Sequence, residues 1–261
     1  MLLTERLFSL ALVLLLAGSL IYGAWRARSG RMPPIRKIAA LEALSEIIGR
    51  ATEMGRPVHL TAGVGKLTDQ NAPVMLAALD ILAKTTQVSA QYGARLLVAT
   101  SDPVYHAMSL DVVKSAYAAA GCADRFREDD VRFLSDTQFA YAAGTIGLIE
   151  REKVAASVIV GAFAAEGLLL AEAGANVGAV QIGGTINMNI LPFFVVACDY
   201  TLLGEEIYAA GAYLSRDAAR VNLLAAQDYA KVASILAVVL GIASLTFGSR
   251  AIVNIFDKFG K

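Results

Sequence analysis

An apolar run lies near each end of this sequence, and a long segment of alternating strand-like and helix-like patterns separates them. Residues 7–25 are almost continuously apolar, interrupted only by small residues and Tyr22. Residues 232–247 form a second run. A bilayer core of about 30 Å needs roughly 20 helical residues, a length the first run meets. The second is slightly short, but Lys231 and Arg250 can snorkel to lengthen its span. The expected organisation is an N-terminal transmembrane anchor over 1–28, an α/β domain over 29–230, a C-terminal transmembrane helix over 231–249 and an interfacial tail over 250–261. In that tail Ile252, Ile255, Phe256 and Phe259 stand against the charged Asp257, Lys258 and Lys261.

Arg26, Arg28, Arg31, Arg36 and Lys37 follow the first run with no acid between them. Basic residues this close to a helix end stay in the cytoplasm, so the middle domain is expected there and both termini outside, in the inner membrane. A cleaved signal peptide is the rival, but Tyr22 is bulky where a cleavage site wants a small residue. Beyond the second run, Arg250, Lys258 and Lys261 balance Lys231, so the first helix decides. Within the second run, Ser234, Ala237, Gly241, Ser244 and Gly248 repeat at helical spacing. They predict a small-residue packing seam, serving the first helix or another protomer.

The hydrophobic fraction of 56% exceeds the roughly 45–50% of soluble domains, and mean hydropathy is +0.56. The excess extends into a middle segment rich in Ala, Val, Ile, Leu and Gly, as buried parallel sheets and their covering helices are. Net charge is zero, and no basic cluster lies away from the membrane flank. Nucleic acid is therefore not an expected partner, because phosphate neutralisation needs clustered Lys and Arg. Membrane lipid is expected. Cys122 and Cys198 lack paired or metal-binding spacing and suit a reducing compartment.

The middle segment reads as helix 35–54, strand 57–61, helix 73–92, strand 95–100 and a helix opened by Asp102-Pro103 that ends at Gly121. An acceptor at the cap position followed by proline is a strong helix start. Strand 131–134 follows, then a helix after Ser135-Asp136, strand 154–160, helix 165–173, strands 177–182 and 191–197, and helix 202–214. Strands alternating with helices predict a Rossmann-like three-layer α/β sandwich on a mainly parallel sheet of five or six strands, flanked by the two transmembrane helices. The charge-free stretch 173–198 could be drawn as a third membrane span. Gly183, Gly184, Asn187, Asn189 and Pro192 break it into pieces too short to cross.

Gly63-Val64-Gly65-Lys66 invites a phosphate-loop reading, but Leu60 and Leu67 stand where a Walker A loop needs Gly and Ser or Thr. Thr68 replaces the third glycine of a dinucleotide fingerprint. A tight strand-to-helix turn accounts for the motif. His59 and His106 are the only imidazoles and have no Cys or carboxylate at ligand spacing, so no metal site and no cofactor is expected. What remains is a set of residues at strand ends, where ligands sit in open α/β sheets: Thr61, Gly63, Gly65, Asp102, Glu166, Thr185, Asn187 and Asp199. Asp102, Asp199 and Glu166 also make sense as helix caps or first-turn acids.

The stretch from Cys198-Asp199-Tyr200 to Ala210, with Tyr213-Leu214-Ser215 and Gln227-Asp228-Tyr229 after it, resembles a signature of an uncharacterised family of bacterial and archaeal membrane proteins with a terminal anchor. The resemblance implies that the chain is one unit and supplies no catalytic residue. No catalytic constellation is visible. The expected role is a membrane-anchored, self-associating scaffold, a homo-oligomer with the α/β domain as its assembly surface. The alternative is an enzyme or sensor that binds a small ligand, of unknown identity, at the carboxyl edge of the sheet. A transporter is disfavoured, since two helices per chain make no pathway without oligomerisation.

Overall fold

The structure, a computed structural model, describes residues 37–215 and 218–246, with scattered positions between residues 13 and 25. The chain divides into two compact units, Arg36–Leu214 and a unit made of Met1–Ile35 with Ser215–Lys261.

In the first unit the apolar runs of the sequence become strands, the inner ones buried on both faces, the environment that near-continuous Val, Ile, Leu and Ala demand, and the two edge strands only partly covered. They are β1 (Val58–Gly63), β2 (Leu96–Thr100), β3 (Val131–Phe133), β4 (Ala156–Ala162), β5 (Val180–Thr185) and β6 (Tyr200–Leu203). Every residue of β1, β2 and β4 is buried. The strands form one six-stranded sheet in the order β3-β2-β1-β4-β5-β6, with each neighbouring pair parallel. That is the order of doubly wound dinucleotide-binding sheets.

The helices are α1 (Ala39–Glu53), α2 (Ala72–Tyr92), α3 (Pro103–Ala119), α4 (Gln138–Glu152), α5 (Glu166–Asn176), α6 (Leu191–Ala197) and α7 (Glu206–Ser215). In α1, Leu41, Leu44, Ile47, Ile48 and Ala51 fall on one buried stripe at helical spacing. Asp102 caps α3 by accepting from the Tyr105 N–H at 3.0 Å, with Pro103 in the first turn. One core cluster draws on α1, α2, α3 and α7. The other, on the opposite face, draws on α4, α5 and α6. The chain changes face between β3 and β4, so the helices that follow β1 and β4 depart to opposite sides and leave a crevice where those strands end.

The second unit contains α8 (Ala218–Thr246), which begins well before the predicted apolar helix and covers most of it. Val232, Ile235, Leu236, Val238, Val239 and Ile242 are each more than half exposed. Among the described residues no helix is long and apolar enough to cross a membrane. Most of the 7–25 run, the 250–261 tail and Gly248 lie outside the described residues, as do the side-chain surroundings of Ala237, Gly241 and Ser244. Ser234 is exposed.

Four expectations are corrected between residues 177 and 214. Residues 191–197 form helix α6, not a strand. Pro192 sits in its first turn, and burial falls on Ile190, Phe194 and Cys198 at four-residue spacing, while Phe193, Val195 and Val196 face outward. The strand predicted at 177–182 is β5 at Val180–Thr185, running through Gly183 and Gly184. Those glycines are spacers: a Cβ on Gly183 would meet Cys198 Sγ at 2.6 Å, and one on Gly184 would meet Leu202 Cβ at 2.9 Å. The sixth strand, β6, takes residues assigned to a helix start. Asp199 therefore precedes β6 and lies at the amino edge, not at the carboxyl end of a strand. Its carboxylate accepts from the Gln181 N–H at 2.7 Å, at the start of β5.

Candidate ligand-binding site

The carboxyl ends of β1, β4 and β5 surround a crevice of about 500 Å³. The loop after β1 contributes Val64, Gly65, Gln70 and Asn71; the end of β4 and its loop, Ala162, Phe163 and Ala164; the end of β5 and its loop, Thr185, Ile186 and Asn187. Not one of these side chains is ionisable. Two close backbone approaches set the floor. A Cβ on Gly63 (φ 82°) would collide with the Ala162 carbonyl and the Phe163 ring, and one on Gly65 would meet Ala162 Cβ at 2.6 Å and Met75 sulfur at 2.8 Å. The register slips between Thr61 and Gly63 at this point, and the Val64 N–H donates to the Ala162 carbonyl at 3.0 Å.

Asn187 ties the far wall together. Its side-chain amide donates to the Phe163 carbonyl at 3.0 Å, its N–H donates to Thr185 Oγ1 at 3.2 Å, and its side-chain oxygen accepts from the Asn189 N–H at 3.1 Å. Phe163 is braced from behind by Phe194, edge to face at 5.5 Å between ring centroids. On the near wall, Asp69 accepts from the Asn71 N–H and side-chain amide at 2.7 and 3.1 Å, which fixes the turn into α2. Gln70 stands exposed at the rim.

A buried polar layer supports these loops. Thr61 Oγ1 donates to the Ala99 carbonyl at 3.1 Å and also bonds the Tyr141 phenol. A hydroxyl has one proton, so the phenol is the donor in that pair. Burial pushes Tyr141 up to about 12, which keeps it un-ionised. Ser101 Oγ donates to the Gly63 carbonyl at 2.7 Å. Glu166 is fully buried at the head of α5. One of its oxygens accepts from the Ala164 N–H at 2.9 Å and the other from the Gln138 amide at 2.6 Å.

Of the residues singled out from sequence, Gly65, Thr185 and Asn187 line the crevice, and Thr61 and Gly63 form the end of β1 beside it. Glu166 backs the β4 loop without reaching the cavity, Asp102 is occupied as the α3 cap, and Asp199 lies at the opposite edge. Sequence reasoning missed Gln70, Asn71, Phe163 and Ala164. Asn71 ahead of Ala72-Pro73 carried a cap signal that could have marked the first wall. The histidines are placed as packing residues. His59 Nδ1 bonds Ser157 Oγ at 2.9 Å, and complete burial pulls its pKa down to about 3. His106 Nδ1 bonds Thr100 Oγ1 at 3.0 Å beside Phe133. Burial, with Asp199 adjacent, raises the Cys198 thiol to about 12, far from a reactive thiolate. Among the described residues no cluster of His, Cys, Asp or Glu could hold a metal ion.

The match of residues 1–256 to one family decides the family. The chain belongs to the DUF6754 family, a domain of unknown function. Comparison with curated proteins and with solved structures finds no match. The DUF6754 match spans both apolar runs and the α/β unit, so the crevice and the terminal segments belong to a single family unit.

Proposed function

We propose that this DUF6754 protein is a membrane-anchored sensor or enzyme whose α/β domain binds a small molecule in the crevice between β1, β4 and β5. The observation that carries this reading is the position of the cavity. It opens at the switch point of a doubly wound sheet, where such folds take their ligands, and its volume suits a small organic molecule. Convergent loops, a braced aromatic and several amide groups support binding. They do not by themselves supply a nucleophile or a general base.

Anchoring rests on the apolar run 7–25 and on the exposed apolar side chains of α8. The Tyr213 hydroxyl at the end of α7 bonds the Glu42 carboxylate in the first turn of α1, so the chain enters and leaves the α/β unit at one corner. Paired terminal helices in one bilayer would need that arrangement. The basic cluster from Arg26 to Lys37 supports a cytoplasmic domain. Self-association remains the second reading, favoured by Met188, Phe193, Val195 and Val196, which are 47–88% exposed around α6.

The test is equilibrium dialysis of the detergent-extracted full chain against a metabolite extract, with Gln70→Trp as control. Gln70 is exposed and lines the rim, so the indole fills the crevice without disturbing the core. At least one compound should be retained by the wild type and lost by the variant. Equal retention by both, or none by either, rejects the crevice as a ligand site.

A further inference from the structure

We propose that the crevice selects an uncharged polar ligand and rejects phosphate-bearing nucleotides, because the chain supplies its own anion at the place where the fold would hold a phosphate. This rests on the ligand-binding reading above. Doubly wound sheets bind phosphate at helix N-termini beside the switch point, through free N–H groups and the positive end of the helix dipole. Here both candidate helices are compromised.

At α5 the Glu166 carboxylate is completely buried. Both of its oxygens face donors, the Ala164 N–H and the Gln138 amide, the pattern of an ionised acceptor. Among the described residues no cation pairs with it. The positive helix end and the loop N–H are thus already neutralised from within, and a second anion entering beside Ala164 would meet a charge that buried surroundings screen poorly. At α2, Pro73 removes a first-turn donor. The Ala72 N–H is committed to the Asp69 carbonyl at 3.1 Å, and the Asn71 N–H to the Asp69 carboxylate. The walls offer no Lys or Arg to compensate, since the lining side chains are neutral. What they do offer is amide, hydroxyl and aromatic surface, from Gln70, Asn71, Thr185 and Phe163. That set recognises a neutral molecule with hydrogen-bonding edges and a flat apolar face.

The experiment titrates pyrophosphate and ADP against the wild type, Gln70→Trp, Glu166→Gln, and Glu166→Gln combined with Gln70→Trp, reading thermal unfolding. The wild type should not shift with either probe. Glu166→Gln keeps the shape and removes the charge, so pyrophosphate should raise its melting temperature saturably by about 2–4 °C, and the double variant should lose that rise. Saturable binding of either probe by the wild type, abolished by Gln70→Trp, overturns the selectivity while leaving the crevice as a ligand site. A well-folded Glu166→Gln that gains nothing also overturns it. Should that variant fail to fold, the wild-type titration still decides, together with the compounds retained in dialysis, which should carry neither phosphate nor carboxylate.

Discussion

The two edges of the sheet are made from similar loops, yet charge is concentrated at one and missing from the cavity at the other. At the amino edge the Arg56 guanidinium donates to the carbonyls of Lys153, Val154 and Val177, pinning the approaches to β1, β4 and β5. Arg95 pairs with Asp130 at 2.7 Å and Glu152 at 3.1 Å, and Asp199 holds the Gln181 N–H. Each of these charges has a partner within the domain. At the carboxyl edge the loops stand apart around neutral amides; Glu166 is turned inward and buried, and the exposed Asp69 beside the near wall is bonded to Asn71. A rigid base bearing an open, uncharged crevice is what a binding site on an α/β scaffold requires. The contrast also predicts that stability and ligand binding separate by edge.

The largest effect should come from Arg56→Ala. It removes charge-assisted bonds to three carbonyls at once, at an expected cost of about 2–4 kcal/mol. Chemical denaturation should register the loss, and dialysis below the unfolding midpoint should show ligand retention unchanged. Weaker retention would mean that the two edges are coupled.

Next comes pH. His59 is neutral when folded, with a pKa of about 3 against an ordinary 6.5. Between those values the unfolded chain binds a proton that the folded chain does not. Stability therefore falls as pH drops below 6.5, by up to about 1.4 kcal/mol per pH unit. Denaturation curves from pH 6.5 to 5 should show a loss of about 2 kcal/mol, and His59→Asn should flatten the slope. An unaltered slope in that variant would assign the dependence to other groups.

The smallest effects make the sharpest comparison. Asp199→Ala and Asn187→Ala each remove side-chain hydrogen bonds at loop positions, and each should cost about 1 kcal/mol. Only Asn187→Ala frees the Phe163 loop, so it alone should lower ligand retention. A parallel loss in both would erase the distinction between the edges.

Much of this fold was legible because its signals are local. The apolar run at 95–100, which contains β-branched Val98 and Thr100, the Asp102-Pro103 cap and the helical stripe in α1 each report their own conformation. The region after Val177 was misread for a reason that is not local. Gly183 and Gly184 look like breakers, but they lie inside β5 because Phe194 of α6, Cys198 at its C-cap and Leu202 of β6 press against them. The run at 191–197 is apolar on all sides, so its period does not distinguish strand from helix. That error carried Asp199 to the wrong edge. The crevice itself was half visible: Gly65, Thr185 and Asn187 announce themselves as residues after strands. Phe163 and Ala164 are ordinary apolar residues whose role follows from the meeting of β1 and β4, which only the strand order establishes.

The most direct test of the central claim is a high-resolution structure of the full chain extracted from native membranes with no ligand added. We expect compact, phosphate-free density between Gly65, Phe163 and Asn187, with Glu166 still bonded to the Ala164 N–H and the Gln138 amide. An empty crevice, with a second copy of the chain seated on Phe193 and Val196 instead, would contradict the account and return the α/β domain to a role in assembly.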